Sequence, residues 1–156
     1  MKKHICRILS VILVVCLMVI PANAASDVET VDAVAVPLPA FTGTRPSVAP
    51  MGISKSISCA SENYFVWGVD YYVTKGKTTL NVESCTWSPQ ACDIIIGFYP
   101  CDDSSGHGPY GVRFSGGCVT NKTIRSIYVP TGMYWLYVYN AGTRDITGTI
   151  NYSVSN

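Results

Sequence analysis

Between Pro100 and Pro109 the chain gathers Cys101, Asp102, Asp103, Ser104, Ser105, Gly106, His107 and Gly108. An acid, a hydroxyl and an imidazole are the parts of a nucleophilic hydrolase: Ser105 or Ser104 would attack, His107 would take its proton and Asp103 would orient the imidazole. Here the three types fall within one short glycine-containing turn, and no Gly-x-Ser-x-Gly elbow frames either serine. Such a turn does not hold a triad in line. The expectation is a polar hairpin loop and a protein that is not an enzyme.

The cysteines are the second set of reactive side chains, and their chemistry depends on compartment. Met1–Arg7 carries Lys2, Lys3 and Arg7, Ile8–Ile20 is an apolar run with Ser10 as its one polar residue, and Pro21 leads to Ala22-Asn23-Ala24. That order reads as a secretory signal peptide over 1–24. The apolar run spans about 20 Å as a helix, too short for a hydrocarbon core of about 30 Å. The product is expected outside the cytoplasm, with no membrane span once the leader is cut.

Cleavage removes two of seven cysteines and leaves Cys59, Cys85, Cys92, Cys101 and Cys118. In an oxidising compartment these are disulfide candidates, with one left over. If Cys101 lies opposite Tyr110 in a hairpin, the register brings Cys92 near Cys118, and this pair is expected to bridge. The other bridge would come from Cys59, Cys85 and Cys101. Zinc is not expected, because no two cysteines have Cys-x-x-Cys spacing and the only histidine after the leader is His107. Asp27, Glu29 and Asp32 could meet a calcium ion, but solvated carboxylates are the simpler reading. No cofactor is expected.

The leader also distorts the charge balance. The whole chain has net charge +1, yet three of its eleven basic residues leave while all ten acids remain. No basic stripe is left to neutralise a row of phosphates, which excludes nucleic acid as a partner. With 48% apolar and aromatic residues against 13% charged, the chain is not a solvated disordered polymer.

Three segments follow from composition. After the leader, 25–51 holds Pro37, Pro39, Pro46 and Pro50 without tryptophan or tyrosine, and reads as a Pro-rich linker or removable pro-segment. Over 52–156 the texture changes to β-branched and aromatic runs broken by turn residues. The runs are Ile53–Cys59, Tyr64–Thr74, Thr78–Trp87, Asp93–Tyr99, Tyr110–Phe114, Thr123–Val129, Met133–Tyr139 and Ile146–Val154. Phe65, Trp67, Val69, Tyr71 and Val73 share one face of the second run, and Leu80 and Val82 one face of the third. The expected fold is all-β: a two-layer antiparallel β-sandwich, jelly-roll-like, of about eight strands.

Trp67-Gly68-Val69-Asp70, Thr78-Thr79-Leu80-Asn81-Val82, Thr86-Trp87-Ser88-Pro89 with Asp93-Ile94-Ile95-Ile96-Gly97, and Val129-Pro130-Thr131-Gly132-Met133-Tyr134 leading to Val138-Tyr139-Asn140 carry a resemblance. Over 52–156 the chain resembles small secreted β-sandwich domains of Gram-positive bacteria, similar to the pre-peptidase C-terminal domains that accompany secreted hydrolases. The resemblance implies a non-catalytic domain that binds surfaces, sugars or protein fibres, in some members with calcium.

In the run Met133–Tyr139, Tyr134, Leu136 and Val138 lie on one face and Trp135, Tyr137 and Tyr139 on the other. The aliphatic face suits a core, so Trp135, Tyr137 and Tyr139 are expected to point outward as a ladder for a sugar ring or another planar group. The functional expectation is a secreted, non-catalytic binding module for carbohydrate or a cell-surface polymer. The alternative is an extracellular interaction or assembly protein that uses a sheet edge and the unpaired cysteine, with a disulfide-linked dimer as one form.

Overall fold

The structure is a computed structural model that describes residues 28–43, 54–102 and 106–156. The leader over 1–24, Asp27, and the loop residues Asp103, Ser104 and Ser105 lie outside the described residues. The fold is all-β, and the described residues form ten strands in two packed five-stranded sheets. The strands are β1 (Glu29–Asp32), β2 (Val34–Ala35), β3 (Ser54–Cys59), β4 (Tyr64–Val73), β5 (Thr79–Ser88), β6 (Ile94–Pro100), β7 (Tyr110–Phe114), β8 (Cys118–Arg125), β9 (Gly132–Asn140) and β10 (Ile146–Ser155). The first sheet runs β1-β8-β5-β10-β3 and the second β2-β7-β6-β9-β4. The expected sandwich is therefore present.

Its core follows the alternation in the sequence. Leu80, Val82 and Cys85 of β5 meet Ile94, Ile96 and Phe98 of β6 and Leu136 and Val138 of β9 between the sheets, with Ile150 and Tyr152 of β10. Trp67 and Val73 are buried there, and Phe65 and Tyr71 pack against the same cluster. Fully burying each aliphatic side chain of this size is worth about 1.5–3 kcal/mol. Every β6 residue is buried, because the strand is flanked on both sides and covered on both faces.

Residues 28–43 depart from the linker expectation. Glu29–Asp32 adds to the first sheet in parallel with β8, in the register Glu29↔Lys122 to Asp32↔Arg125. Ala33 then enters the core between the sheets, and Val34–Ala35 pairs antiparallel with Gly111 and Tyr110 of β7 in the second sheet. Beyond it, Val36 donates its N–H to the Pro109 carbonyl at 2.9 Å, and Val36, Leu38 and Phe41 pack on the outer face of the second sheet. The prolines keep this stretch out of a ladder without keeping it off the fold. It crosses one open side of the sandwich from edge to edge.

The hairpin register also differs from expectation. Phe98, not Cys101, lies opposite Tyr110, with Ile94 opposite Phe114. After β7, Gly116 and Gly117 both take positive φ (88° and 81°), and the chain crosses to the first sheet, where β8 begins at Cys118 rather than at Thr123.

Candidate functional site

The outer face of the second sheet carries an aromatic cluster separate from the core. The pairings Tyr64↔Tyr139, Val66↔Tyr137, Ile95↔Tyr139, Gly97↔Tyr137 and Tyr99↔Trp135 bring residues of β4, β6 and β9 to this one face. The parity expected for β9 is correct: Tyr134, Leu136 and Val138 go to the core, and Trp135, Tyr137 and Tyr139 to the other side. Their expected exposure is not. Tyr137 is wholly buried, and Trp135 and Tyr139 keep only 9% and 7% of their surface. The reason is the covering segment, whose Val36, Leu38 and Phe41 seal the ladder.

Phe41 is the keystone of the cover. Its ring stands edge-on to Tyr64, Tyr99 and Trp135, with centroids 5.8, 5.9 and 6.1 Å away. Such edge contacts suit the ring quadrupole and add about 0.5–1.5 kcal/mol per pair beyond buried area. Beneath it, Tyr99 and Trp135 lie nearly parallel, 11° apart in plane. Two tyrosine hydroxyls also hold the backbone of the cover: that of Tyr64 donates to the Pro39 carbonyl at 2.6 Å, and that of Tyr99 accepts from the Phe41 N–H at 2.9 Å. Burial pushes the Tyr64 hydroxyl well above its ordinary range, with Tyr99 and then Tyr139 adding to the effect. It therefore stays protonated and able to donate across the physiological range.

Three further features shape the floor. Gly97 and Gly111 lie side by side in the row that contains Tyr137, and a Cβ on Gly111 would fall 2.6 Å from the Tyr137 hydroxyl. The tyrosine thus lies over two glycines. Its hydroxyl is buried with no hydrogen-bond partner among the described residues, and burial, with Tyr64 beside it, raises its pKa well above 10. At the other end, Trp135 donates its indole N–H to Asp70 at 2.8 Å, and the Cys101 thiol lies 3.6 Å from the same carboxylate oxygen. These floor partners were invisible in the sequence, although two glycines at alternate-strand positions beside an aromatic run are a usable signal for a ring lying flat on a sheet.

The cysteine expectations are corrected. No disulfide joins Cys59, Cys85, Cys92, Cys101 or Cys118. Cys92 is buried against Gly142, and Cys118 is exposed at the start of β8 opposite Thr86, so the expected Cys92–Cys118 bridge is absent. The shifted β6–β7 register and the crossing at Gly116-Gly117 separate the two. Cys85 points into the core, where burial lifts its thiol to about 12, and Cys59 is lifted to about 11 mainly by burial. Neither is bonded to Cys101.

His107 is exposed beside the undescribed loop residues, and among the described residues no group of histidine, cysteine and acidic side chains is arranged for a metal ion. Glu29 and Asp32, two of the three carboxylates considered for calcium, are ion-paired: Glu29 with Lys122, and Asp32 with Arg125 at 2.7 Å. Among the described residues no helix is long and apolar enough to cross a membrane. No protein-family model matches the chain, and no curated protein is significantly similar to it.

Proposed function

We propose that the chain is a secreted, non-catalytic binding module whose outer aromatic face takes an extended, proline-containing polypeptide segment. Secretion rests on the basic, apolar and small-residue pattern of 1–24. The resemblance to pre-peptidase C-terminal domains points the same way. The observation that carries the ligand class is the seating of Val36-Pro37-Leu38-Pro39-Ala40-Phe41. An aromatic-lined surface that receives a proline-rich stretch through ring contacts, with tyrosine hydroxyls bonded to its backbone, matches the way such peptides are recognised in general. The proline φ angles are already fixed, so less entropy is lost on docking.

The test uses the mature chain carrying Phe41→Ala, which loosens its own cover, and a synthetic peptide of residues 34–43. Binding is read by calorimetry and by tryptophan emission. The peptide should bind the Phe41→Ala chain, and adding Trp135→Ala should weaken it about tenfold, the cost of losing one well-packed aromatic anchor. Absence of peptide binding to a folded Phe41→Ala chain would overturn the reading.

A second reading, a carbohydrate or cell-surface polymer as ligand, draws on the near-parallel Tyr99 and Trp135 rings and on the unpartnered Tyr137 hydroxyl, which a sugar oxygen could satisfy. The same Phe41→Ala chain on a glycan array separates the two. Glycan retention that vanishes with Trp135→Ala supports this second reading.

A further inference from the structure

We propose that Glu29–Phe41 is an exchangeable element, and that two copies of the chain trade it to form a reciprocal dimer. In that dimer each copy covers the other's aromatic face. The inference rests on the reading of that face as the seat of an extended segment, and it names the donor.

The segment makes its tertiary contacts with parts of the chain far away in sequence. β1 pairs with β8 at a separation of 93 residues, Phe41 reaches Tyr99 across 58, and Tyr64 reaches Pro39 across 25. Nothing in those contacts depends on the donor being the same molecule. A second copy would supply the same ladders, the same Ala33 in the core and the same Phe41 edge contacts. The balance between closed monomer and swapped dimer then reduces to protein concentration and to the link that joins the segment to β3.

That link has the reach. Residues 44–53 separate Gly43 from Ser54, and ten residues extend to about 36 Å at most. The segment is also an edge element of both sheets, parallel to β8 and antiparallel to β7. Its departure would leave two strand edges unpaired, a state that edge pairing with another chain relieves.

The β1–β8 pairing carries its own recognition code. Glu29 faces Lys122 and Asp32 faces Arg125, so an acidic pair spaced by three meets a basic pair spaced by three in parallel register. Exposed ion pairs add little to stability but do discriminate between matched and mismatched partners. This allows donor and acceptor to be separated in two proteins.

One variant carries Glu29→Lys with Asp32→Arg, and the other Lys122→Glu with Arg125→Asp. In each alone, segment and seat repel. In a mixture, the segment of either protein matches the seat of the other, and both seats are matched only if the copies trade. Light scattering on an equimolar mixture, warmed and cooled, should find about tenfold more dimer than either variant forms at the same total concentration, the factor expected for about 1.4 kcal/mol of relieved repulsion. The dimer should contain one copy of each.

A mixture that stays monomeric while each variant still binds the 34–43 peptide overturns the exchange and leaves the seat reading standing. A monomeric mixture with no peptide binding overturns both. If the double reversals do not fold, the single reversals Asp32→Arg and Arg125→Asp replace them and are read in the same way.

Discussion

At the scale of single residues, Tyr137 shows how a site differs from a core. Its ring is wholly buried over Gly97 and Gly111, yet its hydroxyl has no partner among the described residues. A buried polar group left unpaired costs about 1–3 kcal/mol, and removing it while keeping the shape recovers part of that. Tyr137→Phe should therefore stabilise the protein by about 1 kcal/mol in urea unfolding. A loss of stability would place an acceptor on that hydroxyl. Tyr64 and Tyr99, by contrast, spend their hydroxyls on the Pro39 carbonyl and the Phe41 N–H.

At the scale of elements, the second sheet is closely spaced because β6 and β7 carry glycines where the strands approach. A Cβ on Gly97 would lie 2.0 Å from the Tyr110 carbonyl oxygen and 2.6 Å from the Gly111 Cα, and both obstacles are backbone. Neither can move without opening the β6–β7 ladder. Gly97→Ala should cost about 3 kcal/mol, the upper range for overpacking. Gly132→Ala, where the nearest atom is a Tyr134 ring carbon at 3.5 Å, should cost well under half as much. Equal melting temperatures for the two variants would contradict the ladder geometry. The long strands were legible in the sequence because their inward sets, such as Leu80 and Val82 or Leu136 and Val138, alternate without a break. β1 was not, since Glu-Thr-Val-Asp offers only Val31 to the core and is otherwise held by its ladder with β8 and by Lys122 and Arg125, partners that spacing alone does not point out. Nor was the fate of Trp135: alternation assigns a side chain to a face, but what lies over that face depends on a segment elsewhere in the chain. The cysteine pairing failed for a related reason, because it assumed a register that depends on where a polar loop turns.

At the scale of the whole molecule, the sandwich core and the covered outer face share one liability: both bury acids that are neutral when protonated. Burial pushes the Cys59 thiol to about 11 and the Cys85 thiol to about 12 from an ordinary 9.0, and the Tyr134 hydroxyl to about 12 from 10.0. The Tyr64, Tyr71 and Tyr137 hydroxyls are likewise raised well above 10.0, again chiefly by burial. In each case the folded chain holds its proton more tightly than the unfolded chain, so the unfolded state loses protons first as pH rises. The stability tied to these groups is fully present below the unfolded thiol value of 9.0, at which the unfolded thiols are half ionised, and is lost as pH climbs through the folded values. On the acid side Asp93 acts oppositely. Hydrogen bonds from Ser115 and Arg113 lower its pKa below 3.8, so its contribution is present above that value and fades only as pH falls through the lowered one. Asp93 is a surface group, and its effect is small. The melting temperature should therefore be flat from about pH 6 to pH 8 and should fall progressively from pH 9 upward, with several groups drawing it down together. Replacing Tyr134, whose ring is buried in the core, with phenylalanine removes one of them and should make the alkaline fall shallower without changing its onset. A melting temperature that held level to pH 11 would mean that these phenols and thiols are not buried as neutral groups, and would count against both the packed core and the covered aromatic face.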